Sequence, residues 1–182
     1  AAAAGAGPAG RGATASAARR PGAAAPAAVV HRIVHGGDRC VAPCLLDEAT
    51  LDHLQGLAPL APLHQPANLA GVRALAARWP GVPQIGCFDT AFHATLPEVE
   101  RRLPLPAEVA VPLGLRRYGF HGLSYEYLAG VLTARSPRFA GGRALLAHLG
   151  NGASLCATRG GRSVATTMGL SALDGLMMGT RS

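Results

Sequence analysis

The residues in this sequence that could do chemistry are a small set of arginines, histidines and one aspartate. They sit in short constrained stretches. In "VVHRIVHGG", Arg32 lies inside an apolar, β-branched run, and strand alternation puts His31, Ile33 and His35 on one face and Arg32 and Val34 on the other. An arginine aimed at apolar surroundings is costly unless it meets an anion, and its planar guanidinium suits carboxylate or phosphate. A solvated arginine on an edge strand is the plainer alternative. In "QIGCFDTAF", Asp89 follows a strand-like run. There it could hold Mg²⁺ or orient a reacting group, or simply cap a following helix. His64 in "LHQPANL" and His121 in "YGFHG" stand in loops held by Pro or Gly. A histidine so placed can donate to a phosphoryl oxygen or serve only as a structural hydrogen-bonder. The stretch "HLGNGAS" brings His148, Leu149, Gly150, Asn151 and Gly152 into one turn. Its glycines could take positive φ so that backbone amides cradle a phosphate, although Asn-Gly alone is a common hairpin signal. Arg181, after the glycine of "MMGTR", is a second possible anion clamp.

Those residues need elements to hold them. Residues 29–34 read as a strand ended by Gly36-Gly37. Residues 47–55 read as a helix, and "PANLAGVRALAARWPG" as a better one, with Leu69, Val72, Leu75 and Ala76 at helical spacing and Pro80-Gly81 as its stop. "PQIGCFDTAF" reads as a second strand, and the prolines of "EVERRLPLP" forbid one regular element there. A helix is expected over 125–134 and a strand over 144–148. Two short strands are expected around Gly160-Gly161. Strands and helices alternate, so the fold class is α/β.

Composition narrows the functions available. The chain has 182 residues, 49% of them hydrophobic and 4% aromatic, so its core must be built from aliphatic side chains. The net charge is +7, and every one of the 17 basic residues is arginine. The arginines are scattered rather than clustered with aromatics on one element, which disfavours a nucleic-acid partner. Without lysine there is no P-loop lysine and no Schiff base. Cys40, Cys44, Cys87 and Cys156 lack zinc spacing and fit reduced thiols in a cytoplasmic protein. No apolar run is long enough to span a bilayer, so no membrane association is expected. Residues 1–28 are Ala, Gly, Pro and Arg-rich, hold no large apolar residue before their end, and are expected to be disordered; an arginine-rich, acid-free start also fits a targeting segment.

Taken in order, "HRIVHGG", "APLHQPANL", "CFDTAFHATLP", "RRYGFHGLSYEYL", "HLGNGASLCA" and "TMGLSALDGLMMGTRS" resemble the acetate kinase (acetokinase) family, with propionate kinases as near relatives. The resemblance covers about residues 29–182. It implies the sugar kinase–Hsc70–actin type of two-domain α/β fold, with 29–90 from the N-terminal domain and 91–182 the first part of the C-terminal one. It also implies transfer of a phosphoryl group from ATP, with Mg²⁺, to acetate or propionate, and a possible homodimer. By the same resemblance Arg32 and Arg181 bind substrate carboxylate and the transferring phosphoryl, and Asp89 is the catalytic aspartate. His64 and His121 belong to the acyl and phosphoryl pocket, with His121 and Arg181 stabilising the transition state. Val34, Leu63 and Phe120 wall the acyl methyl, and 148–152 forms the nucleotide-phosphate turn. The sequence departs from the family at several points. The family's N-terminal phosphate loop and C-terminal adenosine region have no counterpart, so weak ATP binding and impaired activity are expected of these residues alone. A non-enzymatic remnant or regulatory module is the alternative. Tyr125 stands where the family has histidine, Ala172 where it has proline and Asp174 where it has glutamate. The aspartate of the family's "DTSMG" is missing from "ATTMG".

Overall fold

The computed structural model describes residues 24–179. Most of 1–28, and Arg181, lie outside the described residues. Two three-stranded sheets organise the rest. The first contains β1 (Val29–Ile33), β2 (Cys44–Leu45) and β3 (Gln84–Phe88) in the order β1-β3-β2, with β1 parallel and β2 antiparallel to β3. The second is an antiparallel meander of β4 (Arg143–Leu149), β5 (Ala153–Arg159) and β6 (Arg162–Thr166).

Local chemistry sets the ends of these elements. Helix α1 (Glu48–Gly56) starts where the Asp47 carboxylate accepts from the Thr50 amide at 2.8 Å. Helix α2 (Gln65–Arg78) has proline in its first turn, where no amide is needed, and stops at Trp79 before Pro80. Leu51, Leu54, Leu69 and Val72 from these helices bury Ile33 and Phe88 of the first sheet, and Leu46 closes the cluster. The β5–β6 connection is a two-residue turn in which Gly160 (φ 55°) and Gly161 (φ 73°) both take the left-handed conformation that such a hairpin requires.

Between the sheets, residues 97–115 form two single-turn helices after prolines, α3 (Glu98–Arg101) and α4 (Ala107–Ala110). The punctuated reading of "EVERRLPLP" thus holds. Helix α5 (Gly122–Arg135) begins three residues earlier than its periodicity indicates, because the turn at His121 leads straight into it. It lays Tyr125 and Ala129 on the second sheet against Leu146 and Cys156, and α6 (Pro137–Ala140) adds Phe139. A third apolar cluster joins the halves: Val34 and Ala61 from the first meet Tyr118, Phe120 and Met168. Beside it the Arg117 guanidinium donates to the carbonyls of Glu100, Thr166 and Met168 at 2.9–3.3 Å. No helix among the described residues is long and apolar enough to cross a membrane.

Candidate active site

Parallel pairing brings the C-terminal ends of β1 and β3 to one edge, the place where open α/β sheets collect ligand-binding groups. Arg32 leaves β1 beside Cys87, and Asp89 follows β3 with its amide donating to the Ile33 carbonyl at 3.0 Å. The two side chains meet: Arg32 Nε donates to Asp89 Oδ1 at 3.1 Å and Nη2 to Oδ2 at 2.5 Å. Asp89 is 1% exposed, whereas the Arg32 side chain is 62% exposed. A buried carboxylate therefore fixes the inner edge of a guanidinium whose outer edge faces open space. Hydrogen bonding to Asp89 raises the Arg32 pKa further, so its charge is permanent. The helix-cap alternative for Asp89 does not occur; Thr90 occupies the cap position of the following 3₁₀ turn (Ala91–Thr95).

The same aspartate links the second half. Its carbonyl accepts from the Gly122 amide at 2.8 Å, which brings His121 alongside. His121 has φ 60° and ψ 19°, the one non-glycine left-handed residue among those described. This conformation costs about 1–3 kcal/mol and persists only where the surroundings impose it. Here the strained turn aims the imidazole at the second sheet: Nδ1 lies 2.8 Å from Ser154 Oγ, and the ring stacks on His148 at 4.0 Å. His148 is held in turn by Ser124 at 3.1 Å. Burial, reinforced by His148 and opposed by Asp89, pushes the His121 pKa down to about 4, so the ring is neutral at pH 7. Arg32 is a further cation acting on it.

The turn at 148–152 corrects one expectation. Neither Gly150 nor Gly152 takes positive φ, so no left-handed amide cradle forms there. Glycine is needed at 152 for room: a Cβ would lie 2.8 Å from His121 Nε2. Asn151 is exposed, and its carbonyl accepts from the Gly179 amide at 3.2 Å, tying the last described residue to the turn.

Of the expected acyl wall, Val34 and Phe120 come together in the buried cluster. Leu63 is 76% exposed and His64 is exposed at the start of α2, so the structure does not bring these two to the wall. Ala172 and Leu170 pack against the cluster instead. Among the described residues no three His, Cys, Asp or Glu side chains gather into a metal-binding group. Asp89 is the one acid acting on His121, and both its oxygens are held by Arg32. These residues do not fit a protein-built Mg²⁺ site.

Sequence motifs assign no role to Ser154 or Tyr125, both fully buried, nor to His93. His93 Nε2 donates to the Phe120 carbonyl at 2.9 Å, and Nδ1 accepts from Ser163 at 2.8 Å. Strand β5 alternates strictly, with Ser154, Cys156 and Thr158 inward. A serine in that buried phase is the signal that a partner awaits it.

The Acetokinase family model matches residues 17–182. The acetate kinase of Nitrobacter hamburgensis is 53% identical over 156 residues, 86% of this chain and 38% of that protein. The acetate kinase of Methylocella silvestris is 54% identical over 151 residues, 83% of this chain and 37% of that protein. Among solved structures, Porphyromonas gingivalis acetate kinase aligns with a TM-score of 0.78 at 42% identity, covering 85% of this chain and 39% of that one. A Francisella tularensis propionate kinase aligns at 0.80 and 39% identity, covering 85% and 40%. The chain thus spans about two fifths of the length of the relatives it matches. The fold, the ordered motifs and the extent of these matches agree: the chain belongs to the acetokinase family.

Proposed function

We propose that this chain supplies part of the active centre of a short-chain carboxylate kinase, which transfers the γ-phosphoryl of ATP directly to acetate or propionate. The observation that carries the reading is the convergence of Arg32, Asp89 and His121 at one sheet edge beside the apolar pair Val34 and Phe120. Transfer to a carboxylate brings two anions together. The protein's task is to position them and to neutralise charge as it builds on the transferred group. Arg32 presents its free edge to carboxylate or phosphoryl oxygens while Asp89 keeps the guanidinium plane fixed. His121, neutral, adds one hydrogen-bond donor without a second fixed charge. Val34 and Phe120 offer apolar surface to the acyl methyl. Arg181 would supply the second cation. The turn at 148–152 would meet nucleotide phosphate through the exposed Asn151 rather than through positive-φ amides. Mg²⁺ carried by ATP would lend further positive charge when bound. In the domain reading, 29–90 and 91–182 belong to facing halves. Their separate three-stranded sheets support that division.

A chimera tests the function. Residues 29–182 replace the matching stretch of the N. hamburgensis acetate kinase, and acyl phosphate is trapped as hydroxamate. ATP-dependent product from acetate, abolished by Arg32→Ala, is the expected result. A folded chimera that makes none removes the kinase reading and leaves the non-enzymatic alternative.

A further inference from the structure

Tyr125 and Ser154 have no part in the chemistry above, yet both are 0% exposed and bonded in a chain that ends on His121. Ser154 Oγ lies 2.5 Å from the Tyr125 hydroxyl and 2.8 Å from His121 Nδ1. Hydroxyls and imidazole nitrogens both donate and accept, so these distances fit two opposite directions of the chain. Counting hydrogens selects one. The Tyr125 ring is packed among Ala129, Phe139, Leu146 and Cys156. Among the described residues its hydroxyl has Ser154 Oγ as its one hydrogen-bond partner, and the Cys156 thiol in the same cluster is only a weak acceptor. Leaving a buried donor without an acceptor costs about 1–3 kcal/mol. The Tyr125 hydrogen therefore goes to Ser154 Oγ. The Ser154 hydrogen then has His121 Nδ1 as its acceptor. An imidazole that accepts at Nδ1 and is neutral carries its hydrogen on Nε2. That nitrogen faces Gly152, where a Cβ would lie 2.8 Å away, in the turn proposed to meet nucleotide phosphate.

We propose that Tyr125 and Ser154 are positioning residues: the relay Tyr125 O–H to Ser154 Oγ, Ser154 O–H to His121 Nδ1, locks His121 in the Nε2–H tautomer and keeps a donor turned toward the transferring phosphoryl. The identity of that anion rests on the proposed function; the tautomer lock does not. The lock matters because His121 is neutral. A charged ring would donate from both nitrogens whatever its neighbours did, but a neutral ring in the other tautomer would turn a lone pair toward an anion. The neighbouring His93 is fixed by the same device, with Nε2 donating to the Phe120 carbonyl and Nδ1 accepting from Ser163 of β6. Each of two adjacent strands of the second sheet thus gives one inward serine to one histidine.

Long-range ¹H–¹⁵N correlation of the labelled 182-residue chain at pH 7 reads the tautomer directly, with His121→Gln identifying the signals. The parent should show a protonated Nε2 and a bare Nδ1. Tyr125→Phe keeps the ring and removes the donor, so both nitrogens should move to intermediate shifts as the tautomers mix. Tyr125→His, the residue the resembling motif carries, should restore a single form. A parent protonated on Nδ1, or a Phe variant with an unchanged spectrum, overturns the proposal. If the Phe variant does not fold, Ser154→Ala removes the donor to Nδ1 itself, and an unchanged spectrum there is equally decisive. In the active chimera, Tyr125→Phe should lower kcat by about tenfold or more and leave the acetate KM within about twofold, as expected for a donor used in the transition state. An inactive parent chimera with the expected spectrum sinks the kinase reading and leaves the lock standing. An active one with the wrong tautomer does the reverse.

Discussion

The Arg32–Asp89 pair lends itself to a double-mutant cycle. Asp89 is buried, and Arg32 holds both of its oxygens. Arg32→Ala therefore leaves a carboxylate in the interior without its cation. Breaking a fully buried pair costs about 3–5 kcal/mol. The Arg32 side chain is 62% exposed, so water can reach the vacated edge, and the expected loss falls to about 2 kcal/mol, nearer that of hydrogen bonds to a charged group. Asp89→Asn should cost less, because the exposed guanidinium is readily hydrated. The double variant should then recover part of the loss, with a coupling of about 1.5–2 kcal/mol. Urea unfolding can be followed by the fluorescence of Trp79, the single tryptophan, which ends α2 on the first sheet. With a slope near 2 kcal/mol per M, Arg32→Ala should move the midpoint by about 1 M. Additive single effects, with coupling under about 0.5 kcal/mol, would show that the carboxylate does not depend on this cation. The view that Asp89 fixes the guanidinium would then fail.

Three further outcomes are expected. Burial lowers the pKa of His35 and His93 to about 4 from an ordinary value near 6.5. Well above pH 6.5 both states of the chain are neutral at these rings and stability does not respond to them. Between pH 6.5 and 4 the unfolded chain binds protons that the native one refuses, so stability falls with pH, by up to about 2.7 kcal/mol per unit for the two together; a urea midpoint constant from pH 7 to 5 contradicts this. Gly152→Ala should leave the fold intact by circular dichroism yet displace His121, lowering chimera kcat by about tenfold or more, and normal turnover would show that the ring can shift freely. Ala172→Val should narrow the cluster that holds Val34 and Phe120 and raise the KM of propionate over that of acetate by about tenfold; an unchanged ratio would place the acyl chain elsewhere.

Periodicity and punctuation marked the regular elements well. Each expected strand and helix is present within a few residues, because the apolar spacing of 69–76 and the β-branched run at 29–34 report burial that the fold then satisfies. What spacing does not carry is the reason for a residue. Gly152 reads as a glycine wanting positive φ, but it is small to admit an imidazole 31 positions earlier. Asp89 reads equally as cap or site, since nothing local tells that its partner comes from β1. Leu63 and His64 share a motif with residues of the first core yet stay exposed, because the turn into α2 buries Ala61 and Gln65 and leaves the two positions before Gln65 outward. Ser154 and Tyr125 are 29 residues apart, and their pairing exists only once α5 lies on β5.

The connections of Asp89 have a mechanical consequence. Its amide is fastened to Ile33 in one sheet, its carbonyl to Gly122 at the head of the helix that carries the other, and its carboxylate to Arg32. If one sheet rocks against the other, displacement grows with distance from whatever both halves share, and residue 89 is a point they share. Arg32 and His121 lie one hydrogen bond and one residue removed from that fulcrum, so their separation changes least when the outer strands swing. The guanidinium and the neutral imidazole would thus keep their alignment under such a displacement.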